Sequence, residues 1–117
     1  MVYKNKGVVS MAQKKLTPSL TKLVLRYKRK LEKNILVTDV IVFGSQAKGT
    51  AGPYSDIDVC VVSPQLGKDR HNERVMLSRL SDGIDLRIEP HPYHPDDFKD
   101  IWDSLAHEIL SHGIAVK

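Results

Sequence analysis

A chain of 117 residues, 41% hydrophobic and 27% charged, has the size and balance of one folded domain around one core, which excludes wholesale disorder and a pair of independent sites. The formal net charge of +4 is unevenly spread: residues 1–34 hold ten Lys/Arg against one acid, and residues 35–117 hold eight against thirteen. A basic arm on an acidic body answers to nucleic acid, an acidic protein or a triphosphate alike, and a solvated lysine-rich helix face accounts for it as simply.

Residues 1–15 carry four lysines and no apolar periodicity. They are expected to be a flexible basic tail, with Met11 an alternative start, ahead of a single domain over residues 16–117. The run Gly7 to Ala12 is too short for a signal-peptide core, and no segment approaches membrane-spanning length. Cys60 stands alone inside an apolar run, where it reads as a small buried hydrophobe. A cytoplasmic protein is the expectation.

Thr17-Pro18 looks like a helix cap followed by proline at the first helical position, and Leu20, Leu23, Val24, Tyr27 and Leu31 then recur at helical spacing. This predicts a helix over 18–33 whose opposite face carries Lys22, Arg26, Arg29, Lys30 and Lys33. Val40 to Phe43, closed by Gly44, reads as a strand buried on both faces. Ile57 to Val62 reads as a second strand, with Asp58, Cys60 and Val62 on one face and Asp56 just before them. A helix is expected over Asp69 to Leu80, then a turn at Ser81-Asp82-Gly83.

Ile84 to Glu89 alternates cleanly and is expected to be the third strand, placing Asp85 on the face of Asp58. Pro90 to Pro95 reads as a proline-punctuated loop, so His91 and His94 look like surface residues rather than zinc ligands. From Asp96 onward, Phe98, Ile101, Trp102, Leu105 and Ile109 suggest an amphipathic helix ended by Gly113, with Trp102 in the core. His107 and His112 fall on or near it as surface or partner contacts. The order implies an α/β (α+β) architecture, with helices packed on one face of a small sheet and the other face open and bearing three aspartates.

A glycine at a strand end, followed by a small hydroxyl residue and a short helix, lets backbone N–H groups approach phosphate oxygens. Gly44-Ser45 meets that description. Two carboxylates at i and i+2 on one strand face can share a magnesium site with a substrate phosphate, as Asp56 and Asp58 would. A third carboxylate on a neighbouring strand could hold a second ion and help deprotonate an acceptor hydroxyl, and Asp85 is the candidate.

Gly44-Ser45-Gln46-Ala47-Lys48-Gly49, followed by Ser55-Asp56-Ile57-Asp58 and Val59-Cys60-Val61-Val62, resembles the signature of the DNA polymerase β-like nucleotidyltransferase superfamily. The short chain is similar to the minimal nucleotidyltransferases, which are often paired with HEPN-domain toxins. The resemblance spans roughly residues 20–115. It implies a small mixed sheet of the nucleotidyltransferase fold, triphosphate binding by Gly44 and Ser45, one or two Mg2+ ions held by Asp56 and Asp58, and Asp85 as third carboxylate. Lys48 stands where many minimal members have arginine; it keeps the charge for phosphate and loses the planar fork.

The leading functional expectation is therefore transfer of a nucleoside monophosphate, AMP from ATP first, to a hydroxyl on a partner protein, with a HEPN toxin as the partner and this chain as its antitoxin. A catalytically idle antitoxin that masks its partner is the second reading. Modification of a small molecule such as an aminoglycoside is the third. DNA binding rests on charge alone. Homo- or hetero-oligomers are both compatible with the sequence.

Overall fold

In a computed structural model that describes residues 16–117, Thr17 opens the first helix, α1 (Pro18–Glu32), its hydroxyl accepting the Leu20 N–H at 3.2 Å while Pro18 occupies the first turn. The basic tail expected over residues 1–15 lies outside the described residues. Val24, Tyr27 and Leu31 form the buried stripe of α1, as their spacing predicts. The Tyr27 hydroxyl donates to the Leu77 carbonyl at 2.8 Å in the interior, tying α1 to the third helix.

Among the described residues the sheet has four strands, numbered in chain order and lying side by side as the third, second, first and fourth. Strand β1 (Asp39–Phe43) is wholly buried and pairs antiparallel with β2 (Ile57–Val62) and with a two-residue strand, β4 (Ile114–Ala115), that the sequence did not announce. Between β1 and β2 lies the short helix α2 (Ser45–Lys48). β2 and β3 (Ile88–Tyr93) run parallel. A parallel pair needs a crossover, supplied here by α3 (Arg70–Ser81), which Asp69 caps by accepting the Asn72 N–H.

Each face of the sheet has its own apolar cluster. Val40, Val42, Ile57, Val59 and Val61 pack with Val24, Tyr27, Leu31 and Leu77 under α1 and α3. Ile41, Phe43, Cys60, Val62 and Tyr93 pack on the other side with Phe98, Ala106 and Ile109. The α/β class with a small mixed sheet is as expected, but helices are not confined to one face. The second face is covered over Cys60 and Val62, and only its Asp58 end stays open.

Two elements differ from the sequence reading. The third strand begins at Ile88, not Ile84: residues 84–87 form a turn in which Leu86 is 91% exposed, and the strand continues through the expected loop to Tyr93. Proline is tolerated because β3 is an edge strand. The bonds from Ile57 N–H to Arg87 C=O and from Ser63 N–H to Tyr93 C=O turn the odd-numbered backbone groups toward β2, so Pro90 and Pro92 put their missing donors on the outer edge. The expected helix after Asp96 is likewise split into a 3-10 turn (Pro95–Lys99) and α4 (Ser104–His112). Asp100 accepts the Trp102 N–H and Asp103 caps α4 by accepting the Ala106 N–H at 3.0 Å. These local bonds compete with a continuous helix and leave Ile101 and Trp102, predicted as core, 83% and 87% exposed.

Among the described residues no helix is long and apolar enough to cross a membrane. Because Tyr27→Phe leaves the buried Leu77 carbonyl without its side-chain donor, it should lower stability by about 1–2 kcal/mol in urea denaturation with little change in the steepness of the transition.

Candidate active site

At the end of β1 the chain turns through Gly44, whose φ of +71° is a backbone setting that side chains disfavour. The turn leads into α2, where the first N–H groups of the helical turn have no carbonyl four residues back and point outward. Gly44 is needed for a second reason: a Cβ placed there would stand 2.5 Å from Asp58 Oδ2. The register pairs Phe43 with Asp58, so the Asp58 carboxylate rises directly beneath the Gly44 turn. The Gln46 side-chain amide donates to the Asp56 carbonyl at 3.4 Å and links α2 to the start of β2.

On its other side β2 pairs Asp58 with Glu89 and Cys60 with His91. Side chains at paired positions of a parallel ladder share a face, so Glu89 and His91 join Asp58. His91 Nε2 lies 3.3 Å from Asp58 Oδ1 and 3.7 Å from Glu89 Oε1. Ligand atoms of Asp58, Glu89 and His91 all fall within 4.8 Å of one another, and the Asp56 carboxyl is within hydrogen-bonding reach of Glu89. Burial, followed by the Asp56 and Asp58 carboxylates, raises the Glu89 pKa above its ordinary value, and His91 opposes the rise. Three carboxylates so close repel one another, and their oxygens are the hard donors that a magnesium ion takes.

The His91 ring is buried edge-on against Phe43, with centroids 5.0 Å apart. Further along β3, Arg70 of α3 lies over the Tyr93 ring at 4.9 Å, bonds Asp97 at 2.8 Å and reaches the Pro92 carbonyl. The Tyr93 hydroxyl donates to Asp103, and burial first, then Asp103, pushes its pKa up. This network anchors the strand that carries Glu89 and His91. A 400 Å³ cavity between the start of α1 and α2, lined by Leu20, Leu23, Gln46, Gly49 and Arg87 among others, includes none of the clustered carboxylates. The acidic centre is a part-exposed cup, with the Asp58 and Glu89 side chains 26% and 46% accessible.

The nucleotidyltransferase domain model matches residues 22–115, a span that holds the Gly44 turn, Asp56, Asp58, Glu89 and His91. The chain belongs to the nucleotidyltransferase domain family. This nucleotidyltransferase domain is 38% identical over 64 residues to a Methanocaldococcus jannaschii protein provisionally named a protein adenylyltransferase. The match takes in 52% of this chain and only 42% of that relative's length. Two solved structures share its fold. One, a provisionally assigned nucleotidyltransferase from Sulfolobus solfataricus, superposes with a TM-score of 0.59 at 17% identity over 83% of this chain and 78% of its own. The other, a toxin–antitoxin solved with AMP-PNP, gives a TM-score of 0.58 at 19% identity over 83% of this chain and 72% of its own.

Of the residues singled out in the sequence, the domain sets Asp58 against Gly44, ties Asp56 to α2 through Gln46 and places Ser45 as the first residue of α2. Lys48 ends α2 and reaches Glu108 of α4 at 3.7 Å. Asp85 falls elsewhere: it precedes β3, and the Arg87 guanidinium bonds both its oxygens at 2.9–3.0 Å and holds its pKa below the ordinary value. The later start of β3 puts Glu89 opposite Asp58 instead. Glu89 stands at the end of the strand expected over 84–89, on the same face as Asp85, where Asp85 takes the third-carboxylate role in its place; His91 reads as a loop residue because prolines at 90 and 92 argue against a strand. The usable signal was the alternation Glu89, His91, Tyr93 between those prolines.

Gly44→Ala should cost about 1–3 kcal/mol from the backbone setting alone, with a further loss from the approach to Asp58, read as a lower urea midpoint. Glu89→Gln should do the reverse in metal-free protein. A carboxylate whose pKa is raised on folding opposes folding once pH climbs above its unfolded value of 4.5. The variant should therefore be the more stable protein at neutral pH, an advantage that vanishes well below 4.5; urea titrations in EDTA at the two pH values measure it.

Proposed function

We propose that this domain transfers a nucleoside monophosphate, AMP from ATP, to a hydroxyl group of a partner protein. The observation that carries the reading is the meeting of Asp58 with the Gly44 turn on one side and with Glu89 on the other, with Asp56 acting on Glu89. The named activity of the archaeal relative supports protein as the acceptor, and AMP-PNP in the toxin–antitoxin neighbour supports an adenine nucleotide as donor. On the same ground the partner is assigned as a toxin, of the HEPN class that the sequence signature implies, with this chain as its antitoxin.

In this scheme Gly44 and Ser45 seat the triphosphate with outward backbone N–H groups and the Ser45 hydroxyl. Lys48 adds a positive charge at the end of α2. Asp56, Asp58 and Glu89 would hold Mg2+, which when bound supplies positive charge to the attacking and leaving oxygens. The acceptor oxygen forms a bond to the α-phosphorus, the bond to the bridging oxygen breaks, and pyrophosphate leaves. Glu89, on the strand beside Asp58, is assigned to receive the acceptor's proton. The part-exposed cup suits an acceptor presented by another protein, because a macromolecular hydroxyl must approach from outside.

Incubation with ATP labelled at the α-phosphate and the product of the adjacent gene should label that product and release pyrophosphate. Asp58→Asn and Glu89→Gln should each slow labelling about 100-fold or more, whereas Asp85→Asn should stay within about threefold of the parent, since its carboxylate serves Arg87. Loss of labelling in Asp85→Asn with retention in Glu89→Gln would return the third-carboxylate role to Asp85. If Asp58→Asn still rescues growth from the toxin as fully as the parent, masking suffices and transfer is not what neutralises it.

A further inference from the structure

His91 has no part in the transfer scheme, yet its ring is buried on the strand that completes the acidic cup. Its Nδ1 is buried and finds no hydrogen-bond partner among the described residues, so its polar contacts there lie on the Nε2 side, toward Asp58 and Glu89. A charge-assisted hydrogen bond from imidazole to carboxylate is ordinarily about 2.7–2.9 Å. The distances found are 3.3 Å to Asp58 and 3.7 Å to Glu89. The contact to Asp58 is a long hydrogen bond, and both distances also match the spacing of ligand atoms around one ion: four ligands about 2.0–2.2 Å from a zinc-sized centre sit roughly 3.4 Å from each other.

We propose that His91 Nε2 is a direct ligand, with Asp58 and Glu89, when the cup holds a divalent transition ion, so that the centre takes a borderline ion such as Zn2+ or Mn2+ more tightly than its carboxylates alone would. The proposal deepens the transferase reading, resting on the acidic cup being a metal centre. Imidazole is a donor that zinc and other transition ions favour and that Mg2+, with its demand for oxygen ligands and retained water, takes poorly. An ion on Nε2 also fixes the ring as the Nδ1–H tautomer, with that N–H in the pocket beside Phe43. The cup therefore adds one nitrogen donor to the carboxylate oxygens that would hold Mg2+.

Two measurements that do not depend on turnover test it. Pulsed electron paramagnetic resonance of Mn2+ bound to the whole chain should show coupling to a directly coordinated 14N nucleus, replaced by the 15N pattern after histidine-selective labelling and absent in His91→Gln. Calorimetry should find Zn2+ bound at least tenfold more weakly by His91→Gln than by the parent, with Mg2+ affinity changed by less than about threefold. Asp58→Asn serves as the control that the ion sits in the cup. Mn2+ that is lost in Asp58→Asn yet shows no nitrogen coupling overturns the ligand role of His91 and leaves the transferase reading standing. Equal losses for Zn2+ and Mg2+ in His91→Gln overturn the nitrogen's preference for transition ions. Nitrogen coupling in a protein that transfers nothing would sink the transferase reading and keep the metal site.

Discussion

The approach of Asp58 to Gly44 is the constraint on which this molecule's organisation turns. One carboxylate oxygen occupies the space that any other residue's Cβ would need, so the turn that presents N–H groups and the strand that presents the acid meet without a side chain between them. The meeting holds only in one register. Phe43 pairs with Asp58, and a slip of one residue would turn Asp58 into the apolar layer beneath α1 and α3. Burial on both faces of β1 and β2 guards against that slip, since either face would have to expose or bury the wrong side chains.

The same register carries the site onto the neighbouring strand. Glu89 stands opposite Asp58, and His91 opposite Cys60. Among the described residues β3 has only one strand neighbour, β2, and its prolines take no ladder bond on the other edge. Its position is reinforced from the far end, where Arg70 stacks on Tyr93 and binds Asp97, and Tyr93 binds Asp103. Repulsion among Asp56, Asp58 and Glu89 is thus confined by a rigid frame rather than relieved by movement, which is the arrangement expected of groups meant to share a cation.

Legibility in the sequence followed the locality of the forces. Thr17-Pro18, the apolar stripe of α1, the run Val40 to Phe43 and the alternation from Ile57 are decided by neighbours within a few residues, and their elements appear where the pattern puts them. The stretch 84–93 deceived the same reasoning. Its first half alternates like a strand but is a turn fastened by the Asp85–Arg87 pair, and its second half carries prolines that only an edge position allows. Residues 100–103 deceived it too, because Asp100 and Asp103 satisfy backbone N–H groups locally and interrupt a helix that apolar spacing alone would continue.

By itself, the sequence determined the family signature, the Gly44-Ser45 turn and the strand that bears Asp58, because each is written in contiguous residues whose chemistry is local. Tertiary structure alone decided which acid completes the cup, that a histidine stands inside it, and that the open face is reduced to one end of the sheet. Those outcomes depend on the register between β2 and β3 and on what α4 covers. Both are set by packing between segments some 30 or more residues apart, where the periodicity of one segment carries no information about the position of the other.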